Sequence, residues 1–333
     1  MTKKIYILFY CLALSFITKA QGVVLSQPFM SSQFLSSASV GNGLYGSRIQ
    51  SNLKSQMIDG QNLYKTIVVG FDTRFKPADN NSKNYLGIGG QIISDQVMNG
   101  VMQTNLISLN MAYHIYLDNN LYKNIALGLG SGFTQTTLDR TKLRFADQYD
   151  YRAILTNNAT LENILPYPSS FSANASLLYT KHDQKSFIQT GFSAFFLDKP
   201  NMTYSLTNTA PENKYRLFAS TEMPFIGDYL LALHGNYLYQ KSNNQLNLGA
   251  SIGVPLSNDE DEVKRIYFGC FYRANEAIVP SVSIISNKYI FGLSYDIYNA
   301  NKTSSNLRVS SFELSLSASM GRKKTDLFRT IFD

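Results

Sequence analysis

The stretch "NLISLNMAYHIYL" (105–117) decides the fold. Its odd positions are Ile107, Leu109, Met111, Tyr113, Ile115 and Leu117, and its even positions are Leu106, Ser108, Asn110, Ala112, His114 and Tyr116. One side is apolar and the other mostly small or polar. A period of two marks a strand whose two faces meet different surroundings, because successive side chains point to opposite sides of a sheet. The next stretch, "NIALGLGSGF" (124–133), repeats the pattern. Ile125, Leu127, Leu129 and Phe133 share one side, and Asn124, Ala126, Gly128, Gly130 and Gly132 the other.

Outward from these two, the same alternation recurs in fourteen segments. They span about 46–56, 64–76, 83–94, 103–117, 121–134, 169–180, 185–197, 214–223, 227–239, 244–254, 263–273, 277–285, 288–298 and 309–319. Their typical length, about ten to thirteen residues, is what a tilted strand needs to cross a bilayer. Strands of soluble proteins centre nearer five or six. Connections on one side are short, near 118–120, 181–184, 224–227 and 286–287. The longest ones, 135–168, 198–213 and 299–308, fall on the other side, although 240–243 is short there and 255–262 is longer on the first. Outer-membrane barrels show this asymmetry, with short periplasmic turns and long external loops. Lipid offers no partner to a backbone amide, so the sheet must close on itself. The fold expected is all-β: a transmembrane antiparallel β-barrel of fourteen strands with both termini periplasmic. Pro280 interrupts one strand, which implies a bulge or a strand end there.

The ends of the chain set its compartment. Lys3 and Lys4 precede the apolar run 5–17, and Ala20 closes the segment before Gln21. That is a secretory signal peptide, too short for a spanning helix. The division expected is therefore 1–20 signal peptide, 21–320 outer-membrane barrel and 321–333 a basic periplasmic tail containing "GRKKTDLFR" (321–329). Setting aside Lys3, Lys4 and Lys19 leaves 27 basic against 23 acidic residues, a mild excess without the clustered footprint of nucleic-acid binding. With the signal peptide removed, Cys270 is the single cysteine, so no intramolecular disulfide is expected.

Catalytic and cofactor motifs are missing. A dinucleotide fingerprint would require glycine where Phe133 stands, followed by a helix, and no Walker loop occurs. His114, His182 and His234 lack metal-ligand spacing, and no motif sets a serine beside a histidine. The acidic run "NDEDE" (258–262) lacks the glycine and spacing of an EF-hand and reads as a solvated turn. Cys270 falls on the apolar side with Ile266, Phe268 and Tyr272. No enzyme, cofactor or metal is expected, and the inner face reads as Gly, Ala and Ser with few opposed charges.

Two long stretches resemble the PorP/SprF family of Bacteroidetes outer-membrane proteins. The first runs through "LGIGGQIISDQVMNG" (86–100) and 109–150, with Ala112-Tyr113-His114 and the set Leu138, Leu143, Phe145, Asp147, Gln148 and Asp150. The second is 269–319, with Tyr272-Arg273, Ala277-Ile278-Val279-Pro280, Gly292-Leu293-Ser294-Tyr295-Asp296 and Phe312-Glu313-Leu314-Ser315. The resemblance implies an outer-membrane component of the type IX secretion system that binds rather than catalyses. It further implies, as partners, an exported adhesin such as a gliding adhesin or its C-terminal sorting domain, and other secretion components at the periplasmic face.

The external loop 135–168 is the segment expected either to contact an exported protein or to fold inward as a plug. Its candidate residues are Phe145, Asp147, Gln148, Tyr149, Tyr151 and Arg152, since tyrosine and arginine are common interface anchors. Glycines aligned on one face mark a close approach or a bend. Gly128, Gly130 and Gly132 are thus expected to form a lumen stripe against which Phe145–Asp150 rest. A passive porin or hydrophobic-solute transporter is the competing reading.

Overall fold

The computed structural model describes residues 23–75, 83–150, 152, 160, 169–184, 186–199, 212–241, 243–256, 264–299, 308–321 and 330–332. Fourteen antiparallel strands, each hydrogen-bonded to its neighbours in sequence, close into one barrel when β14 returns to pair with β1. In chain order they are β1 (Ser47–Ile58), β2 (Gln61–Phe75), β3 (Tyr85–Val97), β4 (Met102–Tyr116), β5 (Lys123–Leu138), β6 (Ser170–His182) and β7 (Phe187–Phe195). Then follow β8 (Lys214–Pro224), β9 (Leu230–Gln240), β10 (Asn243–Pro255), β11 (Arg265–Arg273), β12 (Ala277–Ile285), β13 (Tyr289–Tyr298) and β14 (Val309–Met320). Every strand expected from the alternation is present. The ends differ by a few residues, most at β5, which runs on to Leu138 because Thr136, Thr137 and Leu138 stay paired with Thr104, Gln103 and Met102.

The alternation becomes an outside and an inside. In β4, Ile107, Leu109, Met111 and Tyr113 are exposed, Leu109 at 71%, while Ser108, Asn110, Ala112 and His114 are buried. The same apolar exterior continues around the wall through Val69, Phe71, Leu127, Leu129, Phe171, Leu217, Ile252, Phe268, Ile278 and Phe291. A water-soluble protein would hide these side chains. Here they form the band that faces lipid, and the polar residues turn inward.

Two ends follow from the strand order. At the turn end β1 starts and β14 finishes, and the connections are 76–84, 117–122, 183–186, 225–229, 256–264 and 286–288. At the loop end lie 59–60, 98–101, 139–169, 196–213, 241–242, 274–276 and 299–308, including the three longest, although 76–84 and 256–264 at the turn end come close to the third. Pro280 causes no bulge. Pairing of β12 with β13 lapses at Val279 and Pro280 and resumes in the same register at Ser281–Ser294, because a missing N–H costs a ladder bond without adding a residue. The bulge is elsewhere, between Gln56 and Met57 in the β1–β2 pair.

What precedes β1 was not expected to be structured. Residues 23–46 run inside the barrel as a 3₁₀ turn (Pro28–Met30), a single helical turn α1 (Ser32–Leu35) and a second 3₁₀ turn (Ser37–Ser39), with nearly every residue from Leu25 to Asn42 buried. Met30, Leu35 and Ala38 join the inward-facing Leu178, Phe187, Phe218 and Phe271 in one apolar cluster.

Leu109, at the middle of β4, tests the lipid-facing assignment. Leu109→Arg should lower stability by about 2–4 kcal/mol, the cost of a cation on the lipid face at mid-bilayer. Urea titration of the protein folded into phospholipid vesicles measures it, and the inward neighbour Ser108→Ala should change stability far less.

Candidate functional site

The distinctive chemistry of this molecule lies in the lumen, where a nearly uncharged segment is held by a charged wall. No residue from Ala20 through Ser47 is ionisable as Asp, Glu, Lys, Arg or His. The inward faces of β1, β2, β8, β11, β13 and β14 supply charges. Glu313 accepts the backbone N–H groups of both Ser26 (2.6 Å) and Gln27 (3.0 Å), and Asp296 accepts the Ser26 hydroxyl at 2.5 Å. Lys54 lies 2.9 Å from Asp296, and Arg273 contacts Asp296 at 3.0 Å and Glu276 at 3.1 Å. Asp296 and Glu313 have no exposed surface at all. Buried carboxylates demand such partners, since an unpaired ion in this setting costs several kcal/mol. The expectation of a lumen with few opposed charges is therefore corrected. Lys54 is distant along the chain from 273, 296 and 313 and meets them only when β14 closes onto β1.

Lower in the lumen the contacts continue. Arg48 pairs with Asp72 at 2.7 Å and donates to the Ser32 hydroxyl at 2.6 Å. Gln50 accepts from the Ser32 N–H, Gln33 donates to the Phe71 carbonyl, and Asn110 donates to Gln33. Ser193 donates to the Leu35 carbonyl, Arg216 to that of Phe34. Ser176 meets the Ser37 hydroxyl and the Ala38 N–H. Nearest the turn end, the His114 ring nitrogen Nε2 is 2.8 Å from the Val40 carbonyl, and the ring stacks on Tyr85. The Arg74 guanidinium covers the Tyr85 ring and donates to the carbonyls of Gly41 and Gly43.

Small residues on the wall make room for this segment. A Cβ at Gly87 would overlap the Val40 carbonyl, and one at Gly128 would overlap the backbone of Ser37 and Ala38. Gly130 is flanked by the amides of Asn110 and Asn174, and Gly132 by the Ser172 hydroxyl. The segment beside the stripe Gly128, Gly130 and Gly132 is thus the N-terminal one. The expectation that Phe145–Asp150 rest there is corrected, because Ser37 and Ala38 fill that place and 139–150 is largely exposed at the loop end. The Phe145 N–H is satisfied locally by Gln148 Oε1.

The loop itself folds on local bonds. Asp139 caps the 3₁₀ turn Arg140–Lys142 through the Thr141 N–H and hydroxyl, and the Thr141 hydroxyl is the main cause that holds the Asp139 carboxyl below its usual pKa. A second turn, Ala146–Gln148, carries Asp147, which accepts the Thr160 hydroxyl. Asp150 accepts the Arg152 N–H. Tyr149 is 42% exposed, and Asp147 and Arg152 are exposed beside it. Tyr151 lies outside the described residues.

Both described ends of the chain turn into the lumen. β1 and β14 do share the turn end, but the chain before β1 climbs the lumen, so Val23 lies beside Lys54, Gln56, Ile58 and Tyr64 near the loop end. Near the other end Thr330, Ile331 and Phe332 are buried, while 322–329, most of the basic run, lies outside the described residues. Phe332 packs on Phe29, Phe187 and His234, and the Ile331 N–H donates to Glu222. An apolar Ile-Phe pair is drawn inside for the reason that any apolar pair is.

One pairing was missed in the sequence. Register places Ser220 opposite His234, with Oγ 2.8 Å from Nδ1. Both are nearly fully buried, the imidazole is packed by Phe29 and Phe332, and among the described residues no carboxylate is bonded to it. Cys270 is exposed on the outer face opposite Ala250 and Pro280. The run 258–262 lies outside the described residues. Among the described residues no group of three or more His, Cys, Asp or Glu is placed to hold a metal ion.

Two substitutions test the seat of the segment. Asp296→Asn should cost about 3–5 kcal/mol, because Lys54 and Arg273 keep buried charges and lose their shared counterion; Asp139→Asn at the exposed loop should leave the unfolding midpoint unchanged. Gly128→Val should push Ala38 away from the wall and open the lumen. Faster proteolysis of the N-terminal segment and new conductance in planar bilayers would report that opening. Gly235→Ala, where an added Cβ meets only Leu248 at 3.4 Å, should do neither.

Solved structures with a similar fold are outer-membrane barrels. The TodX deltaS2S3 mutant monoaromatic hydrocarbon channel aligns with TM-score 0.50 and 8% identity over 90% of this chain and 95% of its own. The CymD monoaromatic hydrocarbon channel aligns with TM-score 0.49 and 11% identity over 91% and 95%. A Pseudomonas aeruginosa FadL homologue gives 0.48 and 7% over 86% and 98%. At such identities the likeness concerns the fold alone. No curated protein matches the sequence. A family model described as type IX secretion system membrane protein PorP/SprF matches residues 18–318.

Proposed function

The chain belongs to the PorP/SprF family of type IX secretion system membrane proteins, and we propose that it works there as a closed, non-catalytic barrel in the outer membrane. In this reading it supports the secretion or surface attachment of a cognate exported protein, such as a gliding adhesin, through that protein or its C-terminal sorting domain. Other secretion components meet it at the periplasmic face, and the chain reaches the outer membrane after signal-peptide cleavage near Ala20.

The single observation that carries this reading is the filled lumen. A channel needs a continuous water-filled path, whereas residues 25–42 occupy the interior and are bonded to the wall through Glu313, Asp296, Arg48 and Arg216. A barrel of this kind offers partners its rims and its outer wall. The loop-end rim carries Tyr149, Asp147 and Arg152 on a locally braced loop, residue types that anchor protein interfaces. Phe145 and Gln148 brace this surface, and the neighbouring Tyr151 belongs to the same loop.

Deleting the gene and comparing surface and culture-fluid proteomes tests the proposal. Loss of a specific exported protein from the surface, with its accumulation in the periplasm, is the expected outcome. Tyr149→Ala with Arg152→Ala should reproduce that loss while the barrel still folds and inserts. An unchanged surface with impaired uptake of small solutes, together with steady conductance of the intact protein in planar bilayers, would favour a porin or hydrophobic-solute transporter instead.

A further inference from the structure

The ion pairing seen along much of the lumen is missing beside one cavity. Between the N-terminal segment and strands β3–β8 lies a cavity of about 110 Å³, lined among others by Ser37, Gly132, Ser172, Asn174, Lys214 and Arg216. Among the described residues two cations line it and no Asp or Glu does. Arg216 is 3% exposed; it donates to the Phe34 carbonyl, while its Nε is buried with no hydrogen-bond partner. Lys214, two residues earlier on the same face and half-buried, places its ammonium 5.8 Å from the Phe195 ring centre. The charged neighbour of Lys214 is Arg216, a like charge.

Arg74 is also held by carbonyls and aromatic rings, but it lies next to the Asp72 side of the lumen, and three other cations have a carboxylate in contact. Arg48 has Asp72 at 2.7 Å, Lys54 has Asp296 at 2.9 Å, and Arg273 has Asp296 at 3.0 Å and Glu276 at 3.1 Å. Aromatic faces and one carbonyl soften a cation without neutralising it. Two like charges facing one enclosed space therefore call for an anion. The space is adequate: at about 30 Å³ per water it admits roughly three or four waters, or one small oxyanion in their place. Ser172 brings a hydroxyl to the same wall. Asn174 brings an amide whose oxygen is buried without a partner, and turning that amide would present its NH₂ to an anion. Gly132, with no side chain, leaves the space open at that height.

We propose that this cavity binds a small oxyanion of the carboxylate or phosphate class, gripped by Lys214 and Arg216 with Ser172 and Asn174 completing its hydrogen bonds. Lys214 opens β8 directly after the connection 196–213, so the anion enters from the loop end. The site is independent of the secretion role argued above.

Equilibrium dialysis of the full-length protein in detergent against radiolabelled inorganic phosphate, at constant ionic strength, tests this, with acetate and chloride as competitors. Saturable binding displaced by phosphate or acetate is expected, with phosphate and acetate potencies telling the two oxyanion classes apart. Lys214→Gln should weaken it about tenfold or more, the order of one lost charge-assisted contact, and the exposed Lys65→Gln should leave it unchanged. Arg216→Gln also releases the Phe34 carbonyl, so Lys214, with no hydrogen bond among the described residues, carries the test. Absence of saturable binding, equal affinity in Lys214→Gln, or chloride competing as well as phosphate would overturn the proposal.

Discussion

Everything in this molecule depends on one requirement: in hydrocarbon, each backbone N–H and C=O must find its partner within the protein. A sheet meets it only by closing, and closure fixes the rest. Strands must be long enough to cross, side chains must alternate between lipid and lumen, and β14 must return to β1. A second problem follows. Fourteen strands enclose a lumen too wide for wall side chains to fill, so something else must occupy it or water will. The chain solves this with its own first residues.

The division of labour between that segment and the wall has an electrostatic logic. The segment is uncharged over its length, rich in serine and short apolar side chains, and so carries little desolvation cost into the interior. The wall holds the ions, already paired with one another as Arg48–Asp72 and Lys54–Asp296–Arg273, and uses their spare hydrogen-bonding capacity to hold backbone groups. A carboxylate such as Glu313, accepting two successive N–H groups, does for an irregular segment what a ladder of main-chain bonds does for a strand.

How much of this was legible in the sequence follows the same physics. Strands were legible because lipid imposes a strict period of two; β12 is read to the residue, even with Pro280 inside it. The interior was not. Segment 23–46 has no period, since it contacts the wall on every side, and only its freedom from charge between Lys19 and Arg48 set it apart. Glu313 and Asp296 could be assigned to the inward face by parity, yet nothing local revealed that they face Lys54 and Ser26 from the far side of the chain. The same holds for Gly128, whose neighbour Ala38 is remote in sequence, and for Ser220 and His234, which only strand register brings together.

The seat of the segment straddles β1, β13 and β14, the strands that meet where the barrel closes. Ser26 and Glu313 are separated by 287 residues, so their contact has to await nearly the entire chain. Such long-range contacts form late, because the entropy of closing the intervening loop must be met first. Zipping of the last strand onto the first and docking of the segment thus draw on the same side chains and become a single cooperative step. A nascent chain missing its final two strands has neither a sealed edge nor a place for its own beginning, and presents both defects together to whatever machinery inspects it.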